Sequence, residues 1–229
     1  MSVVVLWDID QTLVRTGGAG SAGMDLAFEE IYGVADAFGR VEFSGRTDYA
    51  IFRDALYFNE VSQEGFEEQL ARFREVYLRH LATLLPEKDG TVLPGVLELI
   101  KALQAEKLAQ GVATGNFEGG ARLKLAHFGL DAWLEHGAYG DRTAIRSELV
   151  AEAARRVREE YGLSNGRVVV IGDTPLDVEG ARENGFSSVA VATGRHSVGD
   201  LELAGADCAV ADLGDTEEVL RFITTVPSN

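Results

Sequence analysis

The sequence predicts an α/β fold in which helices flank a parallel sheet and a small all-helical segment is inserted after the first strand. Apolar runs at three distant places end abruptly in polar residues, which is typical of buried parallel strands. From residue 95 onward, helical and strand-like patterns alternate, as they do in βαβ units with right-handed crossovers. Between residues 24 and 86 the apolar residues recur at helical spacing, so this stretch is the predicted insert.

The first predicted strand runs from Val3 to Trp7, and a glycine-rich connector that we expect to be mobile follows from Arg15 to Gly23. The insert contains three predicted helices, with Thr47 and Ser62 as the expected N-caps of the second and third. Further helices are predicted near residues 96–106, 120–127, 149–161, 176–184 and 216–224. Further strands are predicted near residues 111–114, 136–139, 168–171, 188–192 and 208–210.

The formal net charge is −16, from 21 basic and 37 acidic residues, which argues against a surface for nucleic acid or an anionic membrane. No apolar run approaches the ~20 residues of a membrane span, and the short N-terminal run does not resemble a signal peptide. The single cysteine, Cys208, excludes an internal disulfide, and we expect it to be buried in its strand. We expect a cytoplasmic protein that is a monomer or a weak homodimer.

Two pairs of acidic residues follow predicted strands. Asp8 and Asp10 follow the first strand, where one can act as nucleophile and metal ligand and the other as acid and base. Asp173 and Asp177 follow the strand near 168–171; Asp173 is the better metal ligand, and Asp177 can orient it or hold a basic residue. Because carboxylates that converge would repel one another, we expect a divalent cation with oxygen ligands, Mg²⁺ by default.

A third strand end carries polar groups without charge. The strand near 111–114 ends in Thr114, which Gly115 and Asn116 follow. Thr114 can donate its hydroxyl to a phosphoryl oxygen, and Gly115 and Asn116 can offer backbone amides with little steric obstruction. Ligands of an open parallel sheet bind beyond the carboxyl ends of its strands. The sequence therefore predicts a metal-assisted enzyme that acts on an anionic group.

These motifs resemble those of the haloacid dehalogenase (HAD) superfamily, in its phosphoglycolate phosphatase-like branch. The resemblance rests on Asp-x-Asp-x-Thr at residues 8–12, Thr114 at a strand end and Gly-Asp-x-x-x-Asp at residues 172–177. It covers residues 3 to about 194 and implies a Rossmann-like sheet with a helical cap as the insert. It also implies that Asp8 is the nucleophile and that Asp10 is the general acid/base, which gives its backbone carbonyl to Mg²⁺. Gln11 replaces the glycine that is usual in this loop.

The superfamily also places a lysine between the second and last motifs, but residues 140–148 contain none. We predict that Arg146 supplies this cation, because arginine can bind phosphate through two parallel hydrogen bonds. Arg142 and Lys124 are the alternatives, although we expect Lys124 to be a solvated helix residue. In the insert, Arg46 follows a glycine at a helix start, where it either meets a second anionic group of the substrate or lies on the surface.

We predict a catalytic core at residues 1–15 and 89–229 and a cap at residues 16–88. The predicted function is Mg²⁺-dependent hydrolysis of a small phosphomonoester, a phosphorylated metabolite, through an aspartyl-phosphate intermediate. The alternatives are a sugar phosphomutase, which uses the same two aspartates, and a non-catalytic phosphate-binding regulatory domain. Residues 15–85 contain no lysine that could form the Schiff base of a phosphonatase. A 2-haloacid dehalogenase needs neither a metal nor a second aspartate, so Asp10 together with Asp173 argues against that reaction.

Overall fold

The computed structural model describes residues 2–225, and eight strands and nine α-helices are assigned within them. The strands are β1 (Val3–Trp7), β2 (Val14–Arg15), β3 (Thr91–Val92), β4 (Ala109–Thr114), β5 (Gly137–Tyr139), β6 (Arg167–Gly172), β7 (Ser187–Val191) and β8 (Cys208–Val210). The helices are α1 (Ala19–Tyr32), α2 (Asp48–Phe58), α3 (Phe66–Leu84), α4 (Val96–Ala105), α5 (Glu118–His127), α6 (Arg146–Glu160), α7 (Pro175–Glu183), α8 (Val198–Leu203) and α9 (Thr216–Thr225).

Six strands form one parallel sheet in the order β5–β4–β1–β6–β7–β8, while β2 and β3 pair as a separate antiparallel ribbon. Within the sheet, Trp7 of β1 is level with Val112 of β4 and Ile171 of β6. The carboxyl ends of these three strands therefore lie at one edge of the sheet. This arrangement confirms the predicted Rossmann-like parallel sheet.

Both faces of β1 are buried, which explains its uninterrupted apolar sequence. Val3, Val5 and Trp7 belong to a core cluster that includes residues of α4 and α9. Val4 and Leu6 face the other side of the sheet and cluster with residues of α6. The alternation follows from the two-residue period of a strand, and it holds the acidic segment after β1 on a rigid support.

The cap consists of α1, α2 and α3, which pack around Phe28, Phe52 and Phe73. The rings of Phe52 and Phe73 stack with their centroids 4.4 Å apart. Phe117, which precedes α5 in the catalytic core, joins the same apolar cluster, so cap and core are packed together. We propose residues 16–88 as the cap, because β2 and β3 pair where the chain leaves the core and returns to it.

We expected the glycine-rich segment from Arg15 to Gly23 to be a mobile connector. This expectation is wrong for its second half, because α1 already begins at Ala19. A Cβ added to Gly23 of α1 would lie 3.3 Å from the ring of Tyr77, so glycine allows α1 to approach α3 closely. In α1, packing against α3 thus overrides the low helix propensity of glycine.

The N-cap of α3 is Gly65, and the expected cap, Ser62, lies in the preceding loop.

Thr47 is the N-cap of α2, as predicted, and accepts a hydrogen bond from the amide of Ala50 at 3.3 Å. α6 begins at Arg146, earlier than the predicted residue 149, and α8, β2 and β3 are absent from the prediction.

Cys208 is only partly buried, although we expected it to be buried, because β8 is the edge strand of the sheet. Among residues 2–225, no helix combines the length and apolar composition that a membrane span requires.

Candidate active site

Three predicted site residues meet at the strand ends. Asp8 follows β1, Thr114 ends β4 and Asp173 follows β6. The amide of Asp8 donates to the carbonyl of Ile171 at 2.9 Å, which extends the β1–β6 pairing and sets Asp8 beside the loop after β6. The exposed fractions of Asp8, Thr114 and Asp173 are 7%, 0% and 4%. Strand register therefore brings two carboxylates and a hydroxyl together, all three of them largely buried.

Asp177 joins this site from the first turn of α7. One carboxylate oxygen each from Asp8, Asp173 and Asp177 lies within 4.8 Å of the others. Thr174 caps α7, and its amide donates to Oδ2 of Asp177 at 3.1 Å. The other oxygen of Asp177 accepts a hydrogen bond from Arg146. Asp177 therefore both stabilises the start of its helix and holds the buried arginine.

Arg146 is the first residue of α6, and its guanidinium is buried against the acidic cluster. Its Nη2 lies 3.0 Å from Oδ1 of Asp8 and 3.0 Å from the carbonyl oxygen of Ala113, and it also contacts Asp177. Burial disfavours the charged guanidinium, but Asp177 and Asp8 outweigh this effect and raise the pKa of Arg146. Arg142 is exposed in the preceding loop. The structure thus places Arg146 beside the predicted nucleophile, and phosphate binding stays a prediction.

The carboxylate of Asp173 has no hydrogen bond or ion pair with another residue in the described range 2–225, although it is buried. Burial, and then the charges of Asp177 and Asp8, raise the pKa of Asp173 to about 9. Burial likewise raises the pKa of Asp8 to about 6, against the opposing charge of Arg146. A buried cluster with this excess of carboxylates is unfavourable unless a cation lies within it. These oxygen donors therefore fit a hard divalent cation such as Mg²⁺.

The loop after β7 closes over Asp173. A Cβ added to Gly194 would lie only 1.9 Å from Oδ2 of Asp173, so no larger residue fits without moving the carboxylate. Gly194 is a residue of the cavity wall that the sequence motifs do not include.

Asp10 is held by contacts of its own. Nζ of Lys124 lies 2.5 Å from Oδ2 of Asp10, and Nδ2 of Asn116 donates to the same oxygen at 2.8 Å. Nδ2 of Asn116 also donates to Oγ1 of Thr114 at 2.8 Å. Asn116 lines the cavity of the site, whereas Thr114 lies behind it. Contact of Thr114 with a phosphoryl group therefore stays a prediction, because its side chain is covered and does not line the cavity.

Lys124 is 2% exposed, so the expectation that it is a solvated helix residue is wrong. It lies on the buried face of α5, together with Gly120, Ala121 and Leu125. The spacing of three and four residues from Ala121 and Gly120 places Lys124 on that face. Because Gly120 and Ala121 are small, a pattern of large apolar residues does not identify this buried face. The helical spacing of the small residues does predict it. Lys124 is a second buried cation of the site.

A cavity of about 530 Å³ lies where cap and core meet. Seven predicted site residues line it: Asp8, Asp10, Arg46, Gly115, Asn116, Arg146 and Asp173. Arg46 comes from the cap loop before α2, and its Nη2 pairs with Oδ2 of Asp54 at 2.7 Å. Its position at the cavity suits a substrate contact, while the contact with a second anionic group stays a prediction. Asp177 is covered and does not line the cavity.

Gln11 adopts a backbone conformation that favours glycine, with φ at 62°. This left-handed conformation costs a residue with a side chain about 1–2 kcal/mol. Neighbours restrain it, because Nε of Arg15 donates to Oε1 of Gln11 at 3.1 Å and the hydroxyl of Thr193 donates to its carbonyl. Contacts with Arg15 and Thr193 therefore help to hold Gln11 in a conformation that glycine adopts more readily.

Main-chain hydrogen bonds hold the cap against the core. The amide of Asp48 donates to the carbonyl of Gly115 at 2.7 Å, and that of Tyr49 donates to the carbonyl of Gly140 at 3.1 Å. Oδ2 of Asp48 accepts the amide of Phe117 at 2.7 Å. Burial raises the pKa of Asp48 to about 7, although nearby Lys124 opposes this effect. Gly115 is thus a docking point for the cap as well as part of the cavity wall.

The fold and the site define a hydrolase with an acidic centre beneath a helical cap. The sequence profile of haloacid dehalogenase-like hydrolases matches residues 3–185, and the chain belongs to that family. This match covers most of the chain, and it confirms both the predicted superfamily and the predicted class of enzyme.

The relatives agree with this assignment. The chain is 27% identical to the phosphoglycolate phosphatase of Rhodospirillum rubrum over 224 residues, which cover 94% of this chain and 90% of the relative. A predicted phosphatase from Clostridium acetobutylicum has a similar crystal structure, with a TM-score of 0.73, 19% identity and coverage of 96% and 99%. A hydrolase from Pseudomonas syringae has a TM-score of 0.72, 22% identity and coverage of 98% and 100%. These structures share the fold of this chain.

Proposed function

We propose that this protein is a Mg²⁺-dependent phosphatase that hydrolyses a small phosphomonoester, similar to phosphoglycolate, through an aspartyl-phosphate on Asp8. The observation that supports this most directly is the buried cluster of Asp8, Asp173 and Asp177, whose negative charge exceeds that of its one paired cation, Arg146. The 27% identity to a phosphoglycolate phosphatase supports a substrate of this kind. We further propose that the enzyme acts in the cytoplasm as a monomer or weak homodimer.

In the first step, a carboxylate oxygen of Asp8 attacks phosphorus and the bond to the leaving alcohol breaks. Asp10 protonates the departing oxygen. In the second step Asp10 removes a proton from water, which attacks phosphorus, releases inorganic phosphate and regenerates Asp8. The guanidinium of Arg146, already 3.0 Å from Asp8, can bind a phosphoryl oxygen. Gly115 and Asn116 also line the cavity, where their backbone amides could donate to the phosphoryl group.

Asp8, Asp173 and the backbone carbonyl of Asp10 would hold Mg²⁺, with Asp177 orienting the cluster. The bound ion would neutralise charge on the phosphoryl oxygens. In its absence the carboxylates repel one another, as the raised pKa of Asp173, about 9, indicates. We therefore expect activity to require a divalent cation, because the cluster carries excess negative charge.

The proposal is tested by phosphate release from a panel of phosphorylated metabolites that includes 2-phosphoglycolate. Each substrate is assayed with Mg²⁺, with EDTA, and with EDTA followed by excess Mg²⁺. We expect turnover that EDTA abolishes and Mg²⁺ restores. A product that is an isomeric sugar phosphate would instead identify a phosphomutase. Binding of phosphate without turnover of any substrate would identify a regulatory domain and overturn the proposal.

A further inference from the structure

Lys124 and Arg146 are buried cations at the site, and they serve different carboxylates. Arg146 contacts Asp8 and Asp177. Lys124 contacts Oδ2 of Asp10 at 2.5 Å, and its side chain is only 3% exposed. The predicted nucleophile is thus paired with one cation, and the predicted acid/base with another.

The two oxygens of Asp10 have different surroundings. Oδ2 receives two donors, Nζ of Lys124 at 2.5 Å and Nδ2 of Asn116 at 2.8 Å. Oδ1 receives no hydrogen bond from any residue within 2–225, and Asp10 lines the cavity. A carboxylate with one oxygen engaged in this way cannot rotate freely, so Oδ1 is the atom left to exchange a proton.

Lys124 also determines how the Asn116 amide points. Nζ of Lys124 donates to Oδ1 of Asn116, so the amide nitrogen must face Asp10 and Thr114. Lys124, Asn116 and Asp10 therefore form a closed triangle. A Cβ added to Gly20 at the start of α1 would lie 3.5 Å from Nζ of Lys124, so the cap backbone covers the ammonium. Lys124 and Asn116 are buried in this triangle, whereas the side chain of Asp10 is 40% exposed and faces the cavity.

We propose that Lys124 is a positioning residue for the reaction, acting through Asp10; this inference rests on the proposed phosphatase function. Lys124 and Asn116 hold Oδ2 of Asp10, so that the same oxygen, Oδ1, gives the proton to the leaving group and later takes one from water. Lys124 does not bind the transferred phosphoryl group, which Arg146 serves. The role assigned to Lys124 is orientation of the acid/base.

The test is a double-mutant cycle with Lys124→Met, Asp10→Asn and the double variant, assayed with 4-nitrophenyl phosphate and Mg²⁺. We expect Lys124→Met alone to lower kcat by about 100-fold, as loss of a general acid/base does, with KM within about threefold of wild type. In the Asp10→Asn background, Lys124→Met should change kcat less than about threefold, because the group it positions is already lost. Lys101→Met, at an exposed lysine of α4, is the matched control and should retain wild-type kcat.

Two results would overturn the proposal: a full additional loss in the Asp10→Asn background, or a raised KM with unchanged kcat, which would make Lys124 a substrate ligand. If Lys124→Met does not fold, Lys124→Gln, which keeps a neutral donor, replaces it in the same cycle. If the wild type releases no phosphate, the proposed function fails, and a crystal structure of the Lys124 variant then decides the positioning role. An Asp10 carboxylate that keeps its orientation in that structure would refute the role, and a rotated one would support it.

Discussion

Nη2 of Arg146 lies 3.0 Å from Oδ1 of Asp8, so the proposed nucleophile and the proposed phosphate-binding cation are paired before any substrate arrives. The pairing holds the Asp8 carboxylate in one orientation. It also means that a bound phosphoryl group would share the guanidinium with Asp8 and Asp177. Four predictions test this arrangement and the parts of the site around it.

Asp8→Asn should abolish turnover and leave the fold intact, because only a carboxylate at this strand end can form the acyl-phosphate. The measurement is kcat with Mg²⁺ and the best substrate of the panel, alongside the circular dichroism spectrum. Retention of more than roughly a few per cent of wild-type kcat would show that another residue is the nucleophile.

Arg146→Ala should lower kcat/KM by about 100-fold or more, because it removes a fixed charge from a site that excludes water. Arg146→Lys should recover part of this loss, since the charge returns without the two-point geometry. Arg142→Ala is the matched control, as Arg142 is exposed nearby and should retain nearly full activity. If Arg142→Ala loses activity and Arg146→Ala does not, the assignment of the cation is wrong.

The stability of the metal-free protein should fall as pH rises from about 4 to about 9. The pKa of Asp173 is raised from its ordinary 3.8 to about 9, so the folded protein keeps a proton that the unfolded chain releases in this window. Asp8 and Asp48, whose pKa values are about 6 and about 7, shift in the same direction. The measurement is the Tm in EDTA at several pH values across this range.

Asp173→Asn supplies the control for this pH effect. It should flatten the decline in Tm at the alkaline end, and it should remove most of the stabilisation that Mg²⁺ gives to the wild type. Equal dependence of Tm on pH in the variant and the wild type would show that the raised pKa of Asp173 does not cause the loss of stability. An unchanged response to Mg²⁺ would rule it out as a metal ligand.

Gly115→Ala should impair docking of the cap, because its Cβ would lie 2.1 Å from the backbone carbonyl oxygen of Arg46. We expect kcat/KM to fall at least about tenfold, since small displacements of positioning groups cost large factors in rate. Gly199→Ala is the control: a Cβ there has only the Ser197 hydroxyl within 4 Å, at 3.9 Å, and it should leave activity unchanged. Equal activity of both variants would contradict the role of Gly115 in docking.

The sheet and the strand-end carboxylates are predictable because buried strands leave a strong local signal. The apolar runs before Asp8 and Asp173 identify β1 and β6, and their register then determines which polar residues meet. The helical spacing of the cap is equally visible. What the sequence predicts well is therefore what depends on local periodicity.

The remaining parts of the site depend on contacts between distant segments. β2 and β3 are two-residue strands that pair through their backbones, and the amide of Asp48 bonds to the carbonyl of Gly115, so neither contact leaves a side-chain pattern. Gly194 is required by its distance from Asp173, which only the folded chain defines. The burial of Lys124 is not predicted for another reason: the buried face of α5 around it consists partly of small residues.

Groups common to every amino acid hold the cap loop to the core. The backbone amides of Asp48 and Tyr49 reach the carbonyls of Gly115 and Gly140, whatever side chains stand at the two donor positions. Substitutions of neighbouring Arg46 can therefore change the charge at the cavity wall while these two attachments persist. Single substitutions in this loop can therefore change substrate preference without loss of the cap attachment. Gly115 cannot be replaced in the same way, because a Cβ there would lie 2.1 Å from the carbonyl oxygen of Arg46.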